Sequence, residues 1–498
     1  MTFSSWFFSP RSSNNRRQSN KARPKRATRC RPILEALEDR SVPTLGFASA
    51  LSVGNGGGQS NANDVAIDAA GNSYLTGAFF GTADLDPANT HPGDTDILTA
   101  RGFSDAFVAK YAPDSSFLWA RRMGGDAISG EQAFDVGRSI VIDGSGNIYV
   151  AGHFAASADF GSTTLVSAGG RDGFVAKLTS GGTIQWAKRW GAAGDDYGLG
   201  VGVDAAGNVY ALGSSGTAGT YSNDILKFSS TGAAVWTKSI VTGTVQSFGE
   251  LTVSASGSVF VCGKFKGTVD FDPGGSKMNV SSGPSYSAFV LKLTTTGKFD
   301  WVSPFVGKTV GSTSGYSSAE SIVLDGSGNV IVGGYYGATV DFDPGAGTTT
   351  LPSTGGAFIT KLNNSGGLVW AKALECANGP ILNGMAVDAA GNIYATGQFT
   401  GTIDLDPGVG TFSRTSAGDY WSTFVVKLDF AGNFGWGESF GGTSAVVGEG
   451  IAVDSSGTIH LVGYYLGDVD FNPDPLDTYW LSNPGTRGDI FFVKLTQS

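Results

Sequence analysis

A repeated pattern of short, alternating apolar runs extends from residue 44 to the end of the chain. Each repeat opens with an alternation that ends at an Asp and a Gly-Asn step, as in residues 65–72. The seven copies of this block are marked by Asp68, Asp143, Asp204, the degenerate Ser254, Asp325, Asp388 and Asp454. A second run ending in Gly, a variable loop, a third run and a fourth run opening on Trp-Ala complete the repeat. The period of two and the Gly, Asn and Asp turns predict four antiparallel strands per repeat.

Seven such repeats predict an all-β fold, a seven-bladed β-propeller of four-stranded antiparallel blades. A single sheet of this kind has two apolar faces, and radial packing of several sheets covers both. The last repeat stops after its third strand, at residues 491–498. An orphan strand at residues 45–51 precedes the first repeat, with Phe47-Ala48 in place of Trp-Ala. We therefore expect the N-terminal strand to complete the C-terminal blade and to close the ring.

The repeat resembles the bacterial β-propeller repeat family called SBBP, whose members carry the same Asp-x-x-Gly-Asn, Phe-Val-x-Lys-Leu and Gly-x-x-x-Trp blocks. The resemblance spans residues 44–498 and implies the propeller fold. It implies little about function, because most such proteins are similar to uncharacterised extracellular modules.

Residues 1–43 differ from the repeats and are expected to form a basic, mostly disordered export or sorting segment. Residues 1–40 carry a net charge of +7, which leaves −17 to the remainder. The stretch Leu34–Arg40 resembles the Leu-Glu-x-Leu-Glu-Asp-Arg element near the N-terminus of many large bacterial extracellular and surface repeat proteins, and this resemblance implies export. The alternative is a short amphipathic helix with Leu34 and Leu37 on one face.

Composition argues against several classes of protein. The acidic body repels phosphate backbones and the basic tail lacks the motifs of a nucleic-acid module, so no nucleic-acid partner is expected. No stretch approaches the roughly 18 uncharged apolar residues of a transmembrane helix. The three cysteines are too few for a disulfide framework and lack C-x-x-C spacing. We expect a monomer without a transmembrane segment.

An acidic element recurs in the loops between the second and third strands. With the first strand innermost, these loops share one face, where binding usually occurs. Carboxylates at i and i+2 of an extended segment point the same way and suit Ca²⁺. The candidate ligands are Asp84, Asp86, Asp270, Asp272, Asp341, Asp343, Asp404 and Asp406. The alternative is that each Asp caps its own turn and pairs with the recurring lysine of the third strand.

Two further sets of residues on this face are candidates for binding. The first is aromatic and consists of Tyr335, Tyr420, Trp421, Tyr464, Tyr479 and Trp480. Such rings offer flat faces to sugars or protein anchors, or alternatively fold back over the blade edges. The second is a row at the channel mouth, namely Asn63, Arg138, Leu199, Gly249, Glu320, Asn383 and Glu449. Converging Arg138, Glu320 and Glu449 would bind a polar ligand or serve as acid and base, and the alternative is a solvated ring.

These features favour an exported, non-catalytic binding or scaffold protein, extracellular or at the cell surface. Its acidic, aromatic loop face would meet a polysaccharide, a surface protein or an envelope component. No cofactor is required, and Ca²⁺ is the one candidate ion. The alternative function is a propeller lyase or hydrolase that uses the polar cluster at the channel mouth.

Overall fold

The structure, a computed structural model, describes residues 45–54, 59–86, 97–126, 134–217, 220–242 and 246–497. Within these ranges the regular elements are β-strands, and no helix occurs among them. The strands form seven four-stranded antiparallel blades, one of which also pairs with a short strand of its neighbour. The predicted seven-bladed propeller is confirmed.

The blades are numbered along the chain, and the strands of each blade are counted outward from the channel. Blades 1 to 3 consist of Ser60–Ile67, Ser73–Phe79, Asp105–Tyr111 and Phe117–Met123; of Val136–Ile142, Ile148–Phe160, Thr163–Leu178 and Ile184–Trp190; and of Tyr197–Val203, Val209–Thr217, Thr220–Phe228 and Ala234–Thr242. Blades 4 and 5 consist of Gln246–Val253, Val259–Phe265, Ser287–Leu293 and Phe299–Gly307, and of Tyr316–Leu324, Val330–Gly337, Gly356–Leu362 and Leu368–Glu375. Blades 6 and 7 consist of Ile381–Val387, Ile393–Phe399, Ser422–Leu428 and Phe434–Phe440, and of Val446–Val453, Ile459–Tyr465, Asp489–Gln497 and Leu45–Val53.

The last blade shows how the ring closes. Leu45–Val53 pairs antiparallel with Asp489–Gln497, from Leu45 opposite Gln497 to Val53 opposite Ile490. Across the blade, the Tyr465 hydroxyl donates to Ser52 Oγ at 2.6 Å. The expected closure by the N-terminal strand is therefore present, and it pairs two edges that would otherwise be open.

Packing between blades supplies the hydrophobic core. The described residues contain seven buried apolar clusters, and each cluster draws its side chains from two neighbouring blades. The first strands of adjacent blades also contact one another around the whole ring. The first strand is therefore innermost, and its side chains line the channel.

The third-strand lysines bind the next blade, which corrects the expectation that they pair with the acidic element. Six of them donate to main-chain oxygens in the third-to-fourth turn of the next blade: Lys110 to Ser180, Lys177 to Ser230, Lys227 to Thr295, Lys292 to Asn364, Lys361 to Phe430, and Lys494 to both Ala112 and Pro113. Lys427 donates instead to the side chain of Gln497 at 2.7 Å. Each of these six lysines therefore links its blade to the third-to-fourth turn of the next one.

Four short hairpins extend the connections between second and third strands. They pair Thr82–Asp84 with Ile97–Thr99, Thr268–Asp270 with Asn279–Ser281, Thr402–Asp404 with Ser413–Thr415, and Gly467–Asp470 with Trp480–Asn483. In blade 5 a shorter strand, Val340–Asp341, pairs with the end of the fourth strand of blade 4. In blades 2 and 3 the second and third strands themselves lengthen. The acidic elements lie in these hairpins.

A β-bulge occurs at the same place in all seven first strands. The residues that the bulges leave out of the pairing are Asn63, Arg138, Leu199, Gly249 with Glu250, Glu320, Asn383 and Glu449. The glycines opposite the bulges are Gly77, Gly152, Gly213, Gly263, Gly334, Gly397 and Gly463. A Cβ at any of these glycines would lie 1.9 to 2.7 Å from a first-strand carbonyl oxygen. The recurring Gly therefore makes room for the bulge, which re-aims the side chains beside it.

Candidate functional site

The central channel brings together the row of residues expected at its mouth. A cavity of about 310 Å³ is lined by all seven of them, Asn63, Arg138, Leu199, Gly249, Glu320, Asn383 and Glu449. Each is a bulge residue, so the repeated bulge is what turns the row toward the lumen. Two of the side chains also bridge blades, because Asn63 Nδ2 donates to Gly137 O at 2.7 Å and Asn383 Nδ2 donates to Gly448 O at 2.9 Å.

The three charged residues of this row do not form one cluster. Burial raises the pKa of Glu449 to about 7, although the nearby positive charge of Arg138 lowers it. Burial likewise lowers the pKa of the Arg138 guanidinium. The pKa of Glu320 is raised by burial, but its neighbours are Ser318, whose hydroxyl donates to it at 2.5 Å, and Lys264. The lining thus divides into an Arg138–Glu449 pair and a separate Glu320–Lys264 pair.

Sequence reasoning missed two acids in the same cavity, Asp64 and Glu250. Burial raises the pKa of Asp64 to about 6. Burial, and then the charge of Asp64, raise the pKa of Glu250 to about 7. Asp64 directly follows the bulge residue of its strand, and Glu250 belongs to the two-residue bulge of blade 4, so two successive residues reach the lumen at each site. The sequence did contain a signal for them: of the seven residues that directly follow the predicted row positions, these two are acidic.

The six candidate aromatics divide between two places. Tyr335 and Tyr464 are half-buried near the channel mouth. The Tyr335 hydroxyl accepts a hydrogen bond from Lys264 at 3.3 Å. Burial, and to a smaller extent the charge of Glu449, raise the pKa of Tyr464. The remaining four lie in the outer loops of blades 6 and 7. There Trp421 is half-buried, while Tyr420, Tyr479 and Trp480 are 53%, 42% and 56% exposed.

The acidic hairpins use their carboxylates to hold their own turns. In blade 6, Asp404 Oδ1 accepts the backbone N–H groups of Asp406 and Phe412 at 3.0 and 2.8 Å. Asp406 Oδ1 then accepts the N–H of Gly408 at 2.8 Å. The same pattern holds at Asp270 with Asp272 and at Asp341 with Asp343, and Asp84 accepts the N–H of Asp86.

These contacts support the turn-capping alternative for the carboxylates, and their calcium role is untested. Among the described residues, no group of three or more His, Cys, Asp or Glu side chains is arranged to hold a metal ion. Calcium takes six to eight oxygen ligands, so water and main-chain oxygens would have to complete each site. A calcium titration decides the point.

Comparison with known proteins agrees with the fold. Residues 118–153 match the family described as SBBP, beta-propeller repeat. The Uncharacterized WD repeat-containing protein L264 of Acanthamoeba polyphaga mimivirus is 24% identical over 467 residues, which cover 74% of this chain and 33% of that protein. This chain therefore spans about a third of the length of that curated relative. The chain is a β-propeller repeat protein.

Solved structures also resemble the fold. Virginiamycin B lyase from Staphylococcus aureus is 9% identical with a TM-score of 0.42, over 91% of this chain and 99% of that chain. Lignostilbene dioxygenase from Pseudomonas brassicacearum is 10% identical with a TM-score of 0.37, over 91% and 93%. Sqt1 from Chaetomium thermophilum is 10% identical with a TM-score of 0.36, over 92% and 100%. Similarities at this level assign no activity to this chain. Among the described residues, no helix has the length and hydrophobicity needed to cross a bilayer.

Proposed function

We propose that this propeller is an exported, non-catalytic binding protein whose loop face holds a polysaccharide. The observation that carries the proposal is the exposure of three aromatic rings, Tyr420, Tyr479 and Trp480, in the outer loops of two neighbouring blades. Exposed Tyr and Trp rings provide flat apolar faces, which pack on sugar rings at little entropic cost. A surface protein or an envelope component is the other class of partner that such rings would anchor.

The hairpin of blade 7 holds two of these rings in place before any ligand binds. Asp470 Oδ1 accepts the backbone N–H of Tyr479 at 2.8 Å, and Trp480 pairs with Asp470 in the hairpin register. The ring of Tyr479 packs against Phe47 with centroids 4.7 Å apart. A platform held by its own backbone loses little freedom on binding, which favours affinity.

Export is the second part of the proposal. Its support is the resemblance of Leu34–Arg40 to the element near the N-terminus of many large bacterial extracellular and surface repeat proteins. Residues 1–44 lie outside the described residues, so the boundary at residue 43 is part of the proposal as well. An extracellular or cell-surface location would place the loop face next to polysaccharides.

Capture on insoluble polysaccharides tests the binding function. The full chain is compared with the triple variant Tyr420→Ala, Tyr479→Ala, Trp480→Ala. Phe430→Ala is the matched control, because Phe430 is 61% exposed but lies in the third-to-fourth turn of blade 6, outside the loops that carry the three rings. We expect capture of wild type and control and loss of the triple variant. Capture of all three proteins alike, or of none on any polysaccharide, would contradict the proposal, and capture only by envelope proteins would assign the platform to the other class of partner.

A lyase or hydrolase at the channel is the second candidate function. The observation in its favour is that Arg138, Glu320 and Glu449 line one cavity. A carboxyl with a pKa near 7, as at Glu449, has the proton affinity that a general acid or base needs at neutral pH. Turnover of a polysaccharide that disappears in Glu449→Gln but persists in Glu375→Gln would establish this function in place of the first.

A further inference from the structure

The central channel has the composition of a binding site for a small organic cation. Among the described residues, the cavity is lined by the four carboxyls of Asp64, Glu250, Glu320 and Glu449 and by the guanidinium of Arg138. Apolar side chains complete the wall, namely Leu199, Phe248, Met385 and Ile451. Pockets for organic ligands combine such apolar surface with a few fixed polar groups.

Two of the carboxyls are held toward a shared lumen from well-separated blades. Asp64 belongs to blade 1, and its Oδ2 accepts the backbone N–H of Ile140 in blade 2 at 2.8 Å. Glu250 belongs to blade 4, and its Oε2 accepts the N–H of Ile322 and the hydroxyl of Ser321, in blade 5, at 3.0 and 2.9 Å. These bonds stop either group from turning away, although the charge of Asp64 disfavours ionisation of Glu250. A cation between them would remove that repulsion.

A third carboxyl, that of Glu449, lies near the guanidinium of Arg138 in the same lining. Glu449 lines the cavity and is half-buried; its carboxylate makes no direct hydrogen bond with a described residue, although the positive charge of Arg138 is near enough to lower its pKa. The Glu449 oxygens are therefore open to a ligand or to solvent in the channel. Asn383 lines the same cavity, and its Nδ2 donates a hydrogen bond to Gly448 O.

The geometry favours an organic cation over a metal ion. A bare ion needs several oxygens at about 2.0 to 2.6 Å, and the described residues offer no group of three acidic, His or Cys side chains at such spacing. The cavity of about 310 Å³ holds several heavy atoms. Its apolar wall at Met385 and Ile451 suits a methylene chain. An ammonium group can donate three hydrogen bonds, and ionised carboxylate oxygens only accept them.

We propose that the channel binds a small aliphatic amine, with an ammonium group between Asp64 and Glu250 and its methylenes along the apolar wall. Glu449 then offers an acceptor to a second ammonium of a diamine. This site is separate from the aromatic platform of blades 6 and 7, so either can be absent without the other.

Titration calorimetry of the full chain with 1,4-diaminobutane tests the site. We expect saturable binding at pH 8, weakened at least roughly tenfold in Glu250→Gln, and unchanged in Glu375→Gln, where the glutamate lies in an outer strand. Binding should also weaken at pH 5, because the pKa values of Asp64 and Glu250, about 6 and about 7, leave both carboxyls largely neutral there while the amine stays charged.

Two further ligands and one further variant complete the test. 1,4-Butanediol has the same chain without charge and should not bind, and calcium chloride should not compete with the diamine. No saturable binding to wild type, equal affinity in Glu250→Gln, or binding of the diol as tight as that of the diamine would overturn the proposal, and competition by calcium would make the site a metal site. If Glu250→Gln fails to fold, Glu449→Gln takes its place, and there the diamine should lose affinity while a monoamine does not.

Discussion

Adding one methyl group at Gly334 should disrupt the bulge that places Glu320 in the channel. A Cβ at this position would lie 2.0 Å from Ser318 O and 2.9 Å from Ala319 Cα. Ordinary contact begins near 3.4 Å, so the first strand would have to move by more than 1 Å within a packed ring. Overpacking of this kind typically costs about 1 to 3 kcal/mol, and we expect the upper end because the opposing atoms belong to the backbone.

Gly326→Ala is the matched control, since a Cβ there meets no atom within 4 Å and the backbone is not in the left-handed region. Its effect should stay within about 0.5 kcal/mol, or be slightly stabilising through the unfolded state. Guanidinium denaturation followed by circular dichroism, and the melting temperature, report the difference between the variants. If Gly334→Ala and Gly326→Ala unfold at the same denaturant concentration, the steric explanation of the recurring Gly is wrong.

Three other predictions follow from the described contacts. Because the pKa values of Asp64 and Glu250 are raised, the folded chain keeps protons that the unfolded chain loses. The free energy of unfolding should therefore fall by about 1 to 3 kcal/mol between pH 5 and pH 8. Glu250→Gln should make the denaturation midpoint depend less on pH. The Asp204 side chain accepts four hydrogen bonds, including one from Tyr210. Asp204→Ser should therefore lower the free energy of unfolding by about 2 to 4 kcal/mol at pH 7. Because the pKa of Asp204 is lowered in the folded chain, this loss should shrink as the pH falls below about 4. Calcium should produce no saturable rise in melting temperature, because the hairpin aspartates already cap their turns; a saturable rise that disappears in Asp404→Asn would show calcium sites there.

The repeat number and the closure of the ring were predictable because their signals are local. Asp68 and its counterparts mark a turn in which one side chain accepts hydrogen bonds from residues two, four and six positions later, so the whole motif is present in a short stretch of sequence. The missing fourth strand and the orphan strand at Phe47 identified the closure in the same way.

The residues that line the channel depend on details of strand pairing, which were harder to predict from the sequence. Regular alternation would point Asn63 and Asp64 in opposite directions, and only the bulge brings both to the lumen. The lysine contacts between blades were equally hard to predict. Their acceptors are mostly main-chain carbonyls, which every residue has, so no residue type marks the contact in the sequence. Exposure of Trp480 rather than Trp421 depends on how each loop folds over the sheet.

Hydroxyl-radical footprinting with mass spectrometry, with and without a captured polysaccharide, tests the binding claim most directly. The account predicts that the polysaccharide protects Tyr420, Tyr479 and Trp480 from oxidation while Phe430, in the third-to-fourth turn of blade 6, remains as reactive as in the free protein. Unchanged oxidation of all three rings during saturated binding, or protection centred on Phe430, would contradict the assignment of the loop face of blades 6 and 7 as the binding surface.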